Sequence, residues 1–347
     1  MTEPDTARHT DESLAAARVL WEHAEPDHER ESEPSPEAIE LAAQLGAEPL
    51  ALRLMGRLLR EHPLTIGGYA NARSLLDHHD PDTRADAATH NNSALHRVCV
   101  VSMTHLDQQR LTRARPLLAV VAFLGAAGVP VPLRRLDPAS LRGTILDTHD
   151  DVPGSDEVEL GLGVLAAHGF VSRRLVDGEA TITLHPVVTR VIRELLGASA
   201  LEVAESVSVI LARGKGADGD FDMEDAAYRA VLAVRDQRLG SEHPDTLWTQ
   251  HRLADLAARR GDLDAAETAY QEVLRAQTQA LGAEHPDSLW SRYRLAWVTQ
   301  RRGDPAAAEA SYRELLGVQR RVLGDRHPYT RLTQEALAEI TRGASAR

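Results

Sequence analysis

The apolar positions of residues 199–347 recur every three or four residues, which is the period of amphipathic α-helices. A sequence motif that begins LG-x-x-HP occurs three times at intervals of 42 residues, starting at Leu239, Leu281 and Leu323. Self-similarity at a fixed period of this length is typical of a solenoid, in which stacked helical hairpins bury one continuous core. The predicted repeats cover about 199–240 (a degenerate copy), 241–282 and 283–324, and a single capping helix follows them.

The residues shared by the copies are of the types that begin and end helices. Pro244 is suited to the first helical turn, where its missing N–H is not needed, and Asp245 next to it favours the positive end of the helix dipole. His243 is placed to cap the same helix end. Gly261 ends the helix, where a left-handed residue is wanted. We therefore expect the shared residues to specify the fold and not to form a metal site.

Residues upstream of the repeats alternate between helical and strand-like patterns. Helical periodicity over 11–24 and again from Pro36 is separated by a Pro- and acid-rich break, and LLAVVAFLG at 117–125 is apolar enough for a buried helix. The letters FVSRRLV, DGE and ATITLHP predict two strands joined by a tight turn. Helices are predicted on both sides of this hairpin, and together they have the pattern of a winged helix.

Composition narrows the classes of function. The chain has 347 residues, enough for more than one core, and a net charge of −13, which argues against coating nucleic acid or an anionic membrane. Its single cysteine, Cys99, provides neither a disulfide framework nor a cysteine-based zinc site. The polar N-terminus has no signal-peptide core, and no apolar stretch is long enough to span a bilayer. We expect a cytoplasmic protein.

The 42-residue period and the LG-x-x-HP-x-T junction resemble tetratricopeptide repeats, in the variety found in kinesin light chains and many bacterial proteins. In this family the first helix of each repeat lines a concave groove that binds proteins or peptides. The resemblance implies that one stripe of each first helix faces such a groove. The implied groove residues are Trp248, His251, Asp255 and Arg259 in one copy and Trp290, Tyr293, Trp297 and Arg301 in the next.

Three of the four tryptophans of an aromatic-poor chain fall on this stripe. Trp and Tyr are frequent in binding hot spots, and the arginines at the end of each set are suited to carboxylates. Trp297 replaces Asp255 of the previous copy, which favours a specialised binding surface. Trp248 and Trp290 occupy equivalent positions, which is also what packing between repeats would produce. Both interpretations of the stripe stay open at this point.

A second resemblance covers the upstream half. LAAQLGAEPLAL at 41–52 is similar to a motif of NB-ARC signalling ATPases, and LHPVVTRVIR at 184–193 resembles the end of their winged helix. In that family, residues at the positions of Pro49 and His185 contact a nucleotide. The sequence has no G-x-x-x-x-G-K-[ST] loop, and ARGKGADGD at 212–220 lacks its spacing. We therefore expect these two positions to be vestigial, because the apparatus for phosphoryl transfer is absent from the sequence.

Together these patterns predict a mainly α fold, with a helical subdomain and a winged helix followed by a tetratricopeptide-type α-solenoid. The predicted domains are an N-terminal helix and acidic linker (1–35), an ARC-like helical subdomain (36–125), a winged-helix domain (126–197) and the repeats (198–347).

The predicted function is that of a non-catalytic scaffold that binds a protein or peptide in the repeat groove, without a cofactor or metal. We expect no membrane, nucleic acid or nucleotide as partner. Three alternatives stay open: a nucleotide-responsive regulator that lacks its own ATPase core, a winged-helix DNA-binding regulator, and an enzyme with its pocket in the N-terminal half. The segment DHHDPD (77–82), with His90 and His105, has the imidazoles and carboxylates of a divalent metal site, but we expect a solvated loop there.

Overall fold

The computed structural model describes residues 4–26, 33–46, 48–61, 68–78, 94–108, 113–147, 152–213 and 220–345. The chain divides into two compact units, Met1–Gly216 and Ala217–Arg347, and each is described by itself. Helices account for most of the described residues, which confirms the predicted mainly α fold.

Ten α-helices of the described residues belong to the first unit. They are α1 Pro4–Ala24, α2 Pro36–Gln44, α3 Pro49–Glu61, α4 Tyr69–His78, α5 Ala94–Gln108, α6 Ala114–Leu124, α7 Pro138–Leu141, α8 Ser155–Ala167, α9 Pro186–Leu195 and α10 Ala200–Arg213. Helix α1 is longer than the predicted 11–24, and it packs against α2 and α3 with Leu20 and Trp21 buried. It is therefore part of the core of this unit.

Helix α6 forms the centre of the first unit. Every residue from Leu117 to Leu124 is buried, as expected for a helix that is apolar on all sides. Helices α5, α8, α9 and α10 pack around it. The predicted buried helix at 117–125 is confirmed.

A three-stranded antiparallel sheet accompanies these helices. Its strands are β1 Val131–Pro132, β2 Val171–Val176 and β3 Glu179–Leu184, in the order β1-β3-β2. The turn between β2 and β3 has positive φ at both central residues, Asp177 and Gly178, as a tight two-residue hairpin requires. The predicted hairpin is confirmed, and β1 is a short third strand that the sequence analysis did not assign.

Gly56 allows α1 and α3 to cross in close contact. A Cβ at this position would lie 2.5 Å from the Leu20 carbonyl oxygen and 2.7 Å from Cβ of His23. Neither atom belongs to a flexible side-chain end, so the helices would have to separate to accept any larger residue.

We therefore predict that Gly56→Ala lowers the free energy of unfolding of the first unit by about 1–3 kcal/mol, the usual cost of overpacking. The buried thiol of Cys99 in α5 reports this unfolding, because labelling in urea requires its exposure. Gly163→Ala in α8 is the matched control: its Cβ would meet no atom within 4 Å, and alanine is the better helix former. Equal labelling midpoints for the two variants would contradict the prediction.

The second unit consists of six described helices. They are α11 Phe221–Leu239, α12 Pro244–Arg260, α13 Leu263–Ala280, α14 Pro286–Arg301, α15 Pro305–Val322 and α16 Pro328–Ser345. Each helix packs against the next, so α12–α13 and α14–α15 are two stacked hairpins and α16 follows as a single last helix. The degenerate repeat predicted at 199–240 spans both units, because α10 packs on α6 and α7 of the first unit.

The residues shared by the repeats cap and end the helices, as predicted. The Nδ1 atoms of His243, His285 and His327 each accept a hydrogen bond of 3.2 Å from the backbone N–H two residues later. Gly261 ends α12 with φ of 85°, in the left-handed region. These contacts confirm that His243 caps its helix and that Gly261 terminates it.

None of the helices in the described residues is by itself long and apolar enough to cross a membrane, although the bent pair Pro186–Leu195 and Gly197–Arg213 together meets the criteria of length and composition.

Candidate partner-binding site

The first helices of the two hairpins, α12 and α14, and the last helix, α16, lie side by side in the second unit. The ring of His251 on α12 is 6.4 Å from that of Trp290 on α14, and Trp290 is 4.8 Å from Tyr329 on α16, centroid to centroid. The predicted stripe residues of α12 and α14 therefore lie on adjacent helices. We call the surface that these three helices share the first-helix face.

Asp255 is the centre of a buried polar cluster on α12. Its Oδ2 lies 2.9 Å from Nη1 of Arg252, its Oδ1 lies 2.9 Å from Nη2 of Arg294, and the Tyr270 hydroxyl donates to Oδ1. His251 Nδ1 is 3.9 Å from Oδ2. These five residues, the Asp255 cluster, join α12 to both α13 and α14. Asp255 was predicted to face a partner, but its side chain is only 14% exposed and its oxygens are already occupied.

Burial and neighbouring charges shift the pKa values of the cluster. His251 is 5% exposed, and burial is the main reason that its pKa falls to about 4; Asp255 opposes the shift, and Arg294 and Arg252 reinforce it. Burial alone would raise the pKa of the Asp255 carboxyl. The contacts with His251, Arg294, Tyr270 and Arg252 outweigh burial, and this pKa lies below its ordinary value.

Two further stripe residues are also engaged inside the unit. Arg259 Nη1 lies 2.7 Å from Glu224 Oε2, and its guanidinium is 5.1 Å from the Phe221 ring, so α11 occupies the group predicted to meet a partner carboxylate. Trp290 stacks on Tyr293 at 5.1 Å as well as on Tyr329. The contacts of Arg259 and Trp290 in the structure are therefore those of packing between helices of the second unit.

The other tryptophans of the stripe are more open. Trp248 is 38% exposed, and its ring forms a T-shaped pair with the Tyr228 ring, with the centroids 6.4 Å apart. Trp297 is half-buried, with the guanidiniums of Arg294 and Arg301 at 4.7 and 5.3 Å from its ring. Both tryptophans have part of their surface available on the first-helix face.

A tyrosine–arginine pair recurs at the junctions between hairpins, and the sequence analysis missed it. Arg252 Nε donates to the Tyr228 hydroxyl at 3.3 Å, and 42 residues later Arg294 Nε donates to the Tyr270 hydroxyl at 2.9 Å. At the third junction Tyr312 is retained, but the position of the arginine is taken by Ala336. Aligning the copies at the period of 42 would have revealed the missing arginine.

A cavity of about 410 Å³ lies where this third arginine is missing. It opens between α14 and α16 on the first-helix face. Its lining comprises Tyr293, Trp297, Gln300, Arg301, Leu332, Glu335, Ala336, Glu339 and Arg342. Three of the eight predicted groove residues, Tyr293, Trp297 and Arg301, are therefore brought together at one cavity. The acidic residues of α16 were not predicted.

The two predicted vestigial positions lie in the first unit. Pro49 is the first residue of α3, and His185 caps α9 by accepting a bond from a backbone N–H. His185 also lines a cavity of about 180 Å³ together with Arg53 and Arg57. The capping bond gives His185 a structural role, and the vestigial character of both positions stays a prediction.

The metal alternative falls largely outside the described part of the chain, since residues 79–82 and His90 are not described. His105 is buried, and its Nδ1 lies 3.0 Å from the Val101 carbonyl oxygen. Within the described ranges no group of three or more His, Cys, Asp or Glu side chains is placed to hold a metal ion.

Stacked helical hairpins with a period of 42 define the second unit as a helical solenoid. A family model described as a tetratricopeptide repeat matches residues 211–279 and 245–320. No curated protein matches the chain. The second unit is therefore a solenoid of tetratricopeptide repeats, a class that builds protein-interaction scaffolds.

Two solved structures of TPR-like repeats from a Podosopora anserina protein described as a kinesin light chain are similar to this chain. One is 25% identical over 47% of this chain and 90% of its own, with a TM-score of 0.30. The other, a single-substitution variant, is 24% identical over 45% and 82%, also with a TM-score of 0.30. The upstream resemblance to NB-ARC proteins has no counterpart in these matches and stays a prediction.

Proposed function

We propose that this protein is a non-catalytic scaffold whose second unit binds a segment of a partner protein on the first-helix face, with one partner side chain held in the cavity between α14 and α16. The observation that carries the proposal is that this cavity lies where the repeat loses its arginine. A partner that supplies the missing group would complete the third junction in the way that Arg252 and Arg294 complete the first two.

The chemistry of the cavity favours an arginine or lysine side chain. Glu335 and Glu339 are one turn apart on α16, and in the described residues neither forms an ion pair. The Trp297 ring beside them already has guanidiniums as neighbours, which is the kind of contact a cation makes with an aromatic face. Arg301 and Arg342 line the same cavity, where Arg301 lies over the Trp297 ring and Nε of Arg342 donates to the Ala338 carbonyl oxygen. The proposed cationic side chain pairs with the two carboxylates beside this aromatic wall.

We propose that the first unit serves as a platform with a regulatory ancestry: an ARC-like helical subdomain at 36–125 and a winged helix at 126–197, preceded by 1–35 and followed by the repeats from 198. The hairpin of β2 and β3 between α8 and α9 supports this assignment. The absence of a phosphate-binding loop from the sequence supports a role without phosphoryl transfer.

The substitution Ala336→Arg tests the proposal, because it gives the third junction the arginine of the other two. Peptides selected from a random displayed library on the full chain are expected to be rich in arginine or lysine. Their affinity, measured by fluorescence anisotropy, should fall by about tenfold or more in Ala336→Arg, because the cavity is filled and its carboxylates are neutralised.

Gln237→Arg is the matched control for this experiment. Gln237 is exposed on α11 and does not line the cavity, so the variant carries the same added charge elsewhere in the second unit. We expect its affinity to stay within about twofold of the wild type. Selected peptides that bind Ala336→Arg as tightly as Gln237→Arg would contradict binding at this cavity.

A further inference from the structure

A second groove of about 560 Å³ lies in the second unit, lined by α11, α12, α13 and the α11–α12 loop. Its apolar floor is formed by Leu253, Ala257, Ala265, Ala269, Val273 and Ala276. Seven polar side chains also line it: Arg229, Ser241, Glu242, Gln250, Glu272, Arg275 and Gln279. We call it the second-helix groove. None of its lining residues belongs to the cavity between α14 and α16.

The next repeat shows what the same positions do when they are paired. There the equivalents of the two glutamates, Glu284 and Glu314, form ion pairs with arginines. Glu314 Oε1 lies 2.7 Å from Nη2 of Arg292, and Glu284 Oε2 lies 3.1 Å from Nη1 of Arg321. These two pairs tie α15 to α14 and to the preceding loop. The carboxylates of this surface are therefore positioned to bind guanidiniums.

The second-helix groove has the same two glutamates as the next repeat, but it has glutamines at the positions of the two arginines. Gln250 stands at the position of Arg292, and Gln279 stands at the position of Arg321. In the described residues neither Glu242 nor Glu272 forms an ion pair. Two glutamates with the register of a guanidinium site thus face an open groove.

Several of the residues that form the floor of the groove are also smaller than their equivalents in the next repeat. Ala257, Ala269 and Ala276 replace Thr299, Ser311 and Val318 of the next repeat. Each replacement removes side-chain volume from the floor. Smaller floor residues and the absence of the two arginines both leave space for side chains of another molecule in this groove of about 560 Å³.

We propose that the second-helix groove binds a peptide segment of a partner protein that carries two basic side chains flanking apolar residues. The basic groups pair with Glu242 and Glu272 and so take the places that Arg321 and Arg292 hold in the next repeat. The apolar residues between them cover the alanine floor. This surface is separate from the first-helix face, so a partner can be held at either site without the other.

Two arginines also line the groove and do not oppose this assignment. Arg229 is neutralised by Asp225, with Nε 2.7 Å from Oδ2. Arg275 is exposed and keeps its hydration, so the partner need not supply an acid for it. The glutamates are the groups for which the next repeat provides a bound cation.

The double variant Gln250→Arg/Gln279→Arg tests the proposal by restoring the ion pairs of the next repeat. The probes are fluorescein-labelled peptides in which two arginines are separated by two to seven leucines and alanines, and a matched series with glutamate in place of arginine. With full-length wild-type protein we expect at least one arginine peptide to bind, and to bind more weakly as salt rises. In the double variant its affinity should fall by about tenfold or more.

Gln237→Arg/Gln271→Arg provides a control with the same added charge, because both residues are exposed on α11 and α13 and neither lines the groove. Binding should stay within about twofold of wild type in this control and also in Ala336→Arg. Loss in Ala336→Arg instead would place the peptide in the first-helix cavity and overturn the assignment. Absence of binding by every arginine peptide, or equal binding by the glutamate series, would also overturn it.

Discussion

Replacement of Asp255 by alanine is expected to lower the free energy of unfolding of the second unit by about 3–5 kcal/mol, the range found when one partner of a buried ion pair is removed. Arg252 and Arg294 are only 14% and 17% exposed, and both lose the carboxylate that neutralises them. The Tyr270 hydroxyl loses its acceptor at the same time. Because the cluster joins α12 to α13 and α14, the loss affects the junction between two hairpins.

Urea denaturation followed by tryptophan fluorescence measures this change, since Trp248, Trp290 and Trp297 all belong to the second unit. Asp264→Ala is the control, because Asp264 also pairs with an arginine, Arg302, at 3.0 Å, but its side chain is 84% exposed. An exposed pair of this kind contributes at most about 1 kcal/mol. If the two variants lost equal stability, the Asp255 cluster would not hold the hairpins together.

The period of 42 was enough to predict the elements of the second unit from the sequence. It placed the helix starts at the histidine–proline pairs and an end at Gly261, because these are local signals in which a residue acts on the backbone of its own helix end. The resemblance to tetratricopeptide repeats placed Tyr293, Trp297 and Arg301 on the predicted stripe, and these three residues line the cavity. What it left open was which stripe residues the next helix covers.

The roles of Asp255 and Arg259 depend on side chains that are distant in the sequence. Arg294 reaches Asp255 from the next first helix, and Glu224 reaches Arg259 from α11. Helical period assigns a residue to a face, but it does not say whether a neighbouring helix already occupies that face. The same limit applies in the first unit, where the two-residue strand β1 is too short to have a period of its own.

The positions that carry both binding proposals are those at which the copies differ from one another. Ala336 breaks the series begun by Arg252 and Arg294, and Gln250 breaks a pairing that Arg292 makes. Such departures have a physical meaning only after the contacts of the intact copy are known. The contacts of the intact copy are therefore the reference for interpreting the altered copy, and the sequence of one repeat alone does not contain them.

The stability of the second unit is expected to fall by about 2–3 kcal/mol between pH 7 and pH 4.5 through His251 alone. An unfolded histidine takes up its proton near the ordinary pKa of 6.5, whereas burial holds the pKa of folded His251 at about 4. Between these values the unfolded state binds more protons, so acidification favours unfolding. The contribution is absent above pH 7 and complete near pH 4, where the folded state also takes up the proton.

The variant His251→Phe isolates this contribution. Phenylalanine keeps an aromatic ring beside Tyr270, at the place where the His251 ring lies 5.2 Å from it, but has no proton to gain. Urea denaturation at pH 7 and at pH 4.5 gives the loss within each protein, so a constant difference in packing cancels. The variant should lose about 2–3 kcal/mol less than wild type on acidification. Equal losses would mean that His251 is protonated in the folded unit near its ordinary pKa, and that the Asp255 cluster accepts its charge.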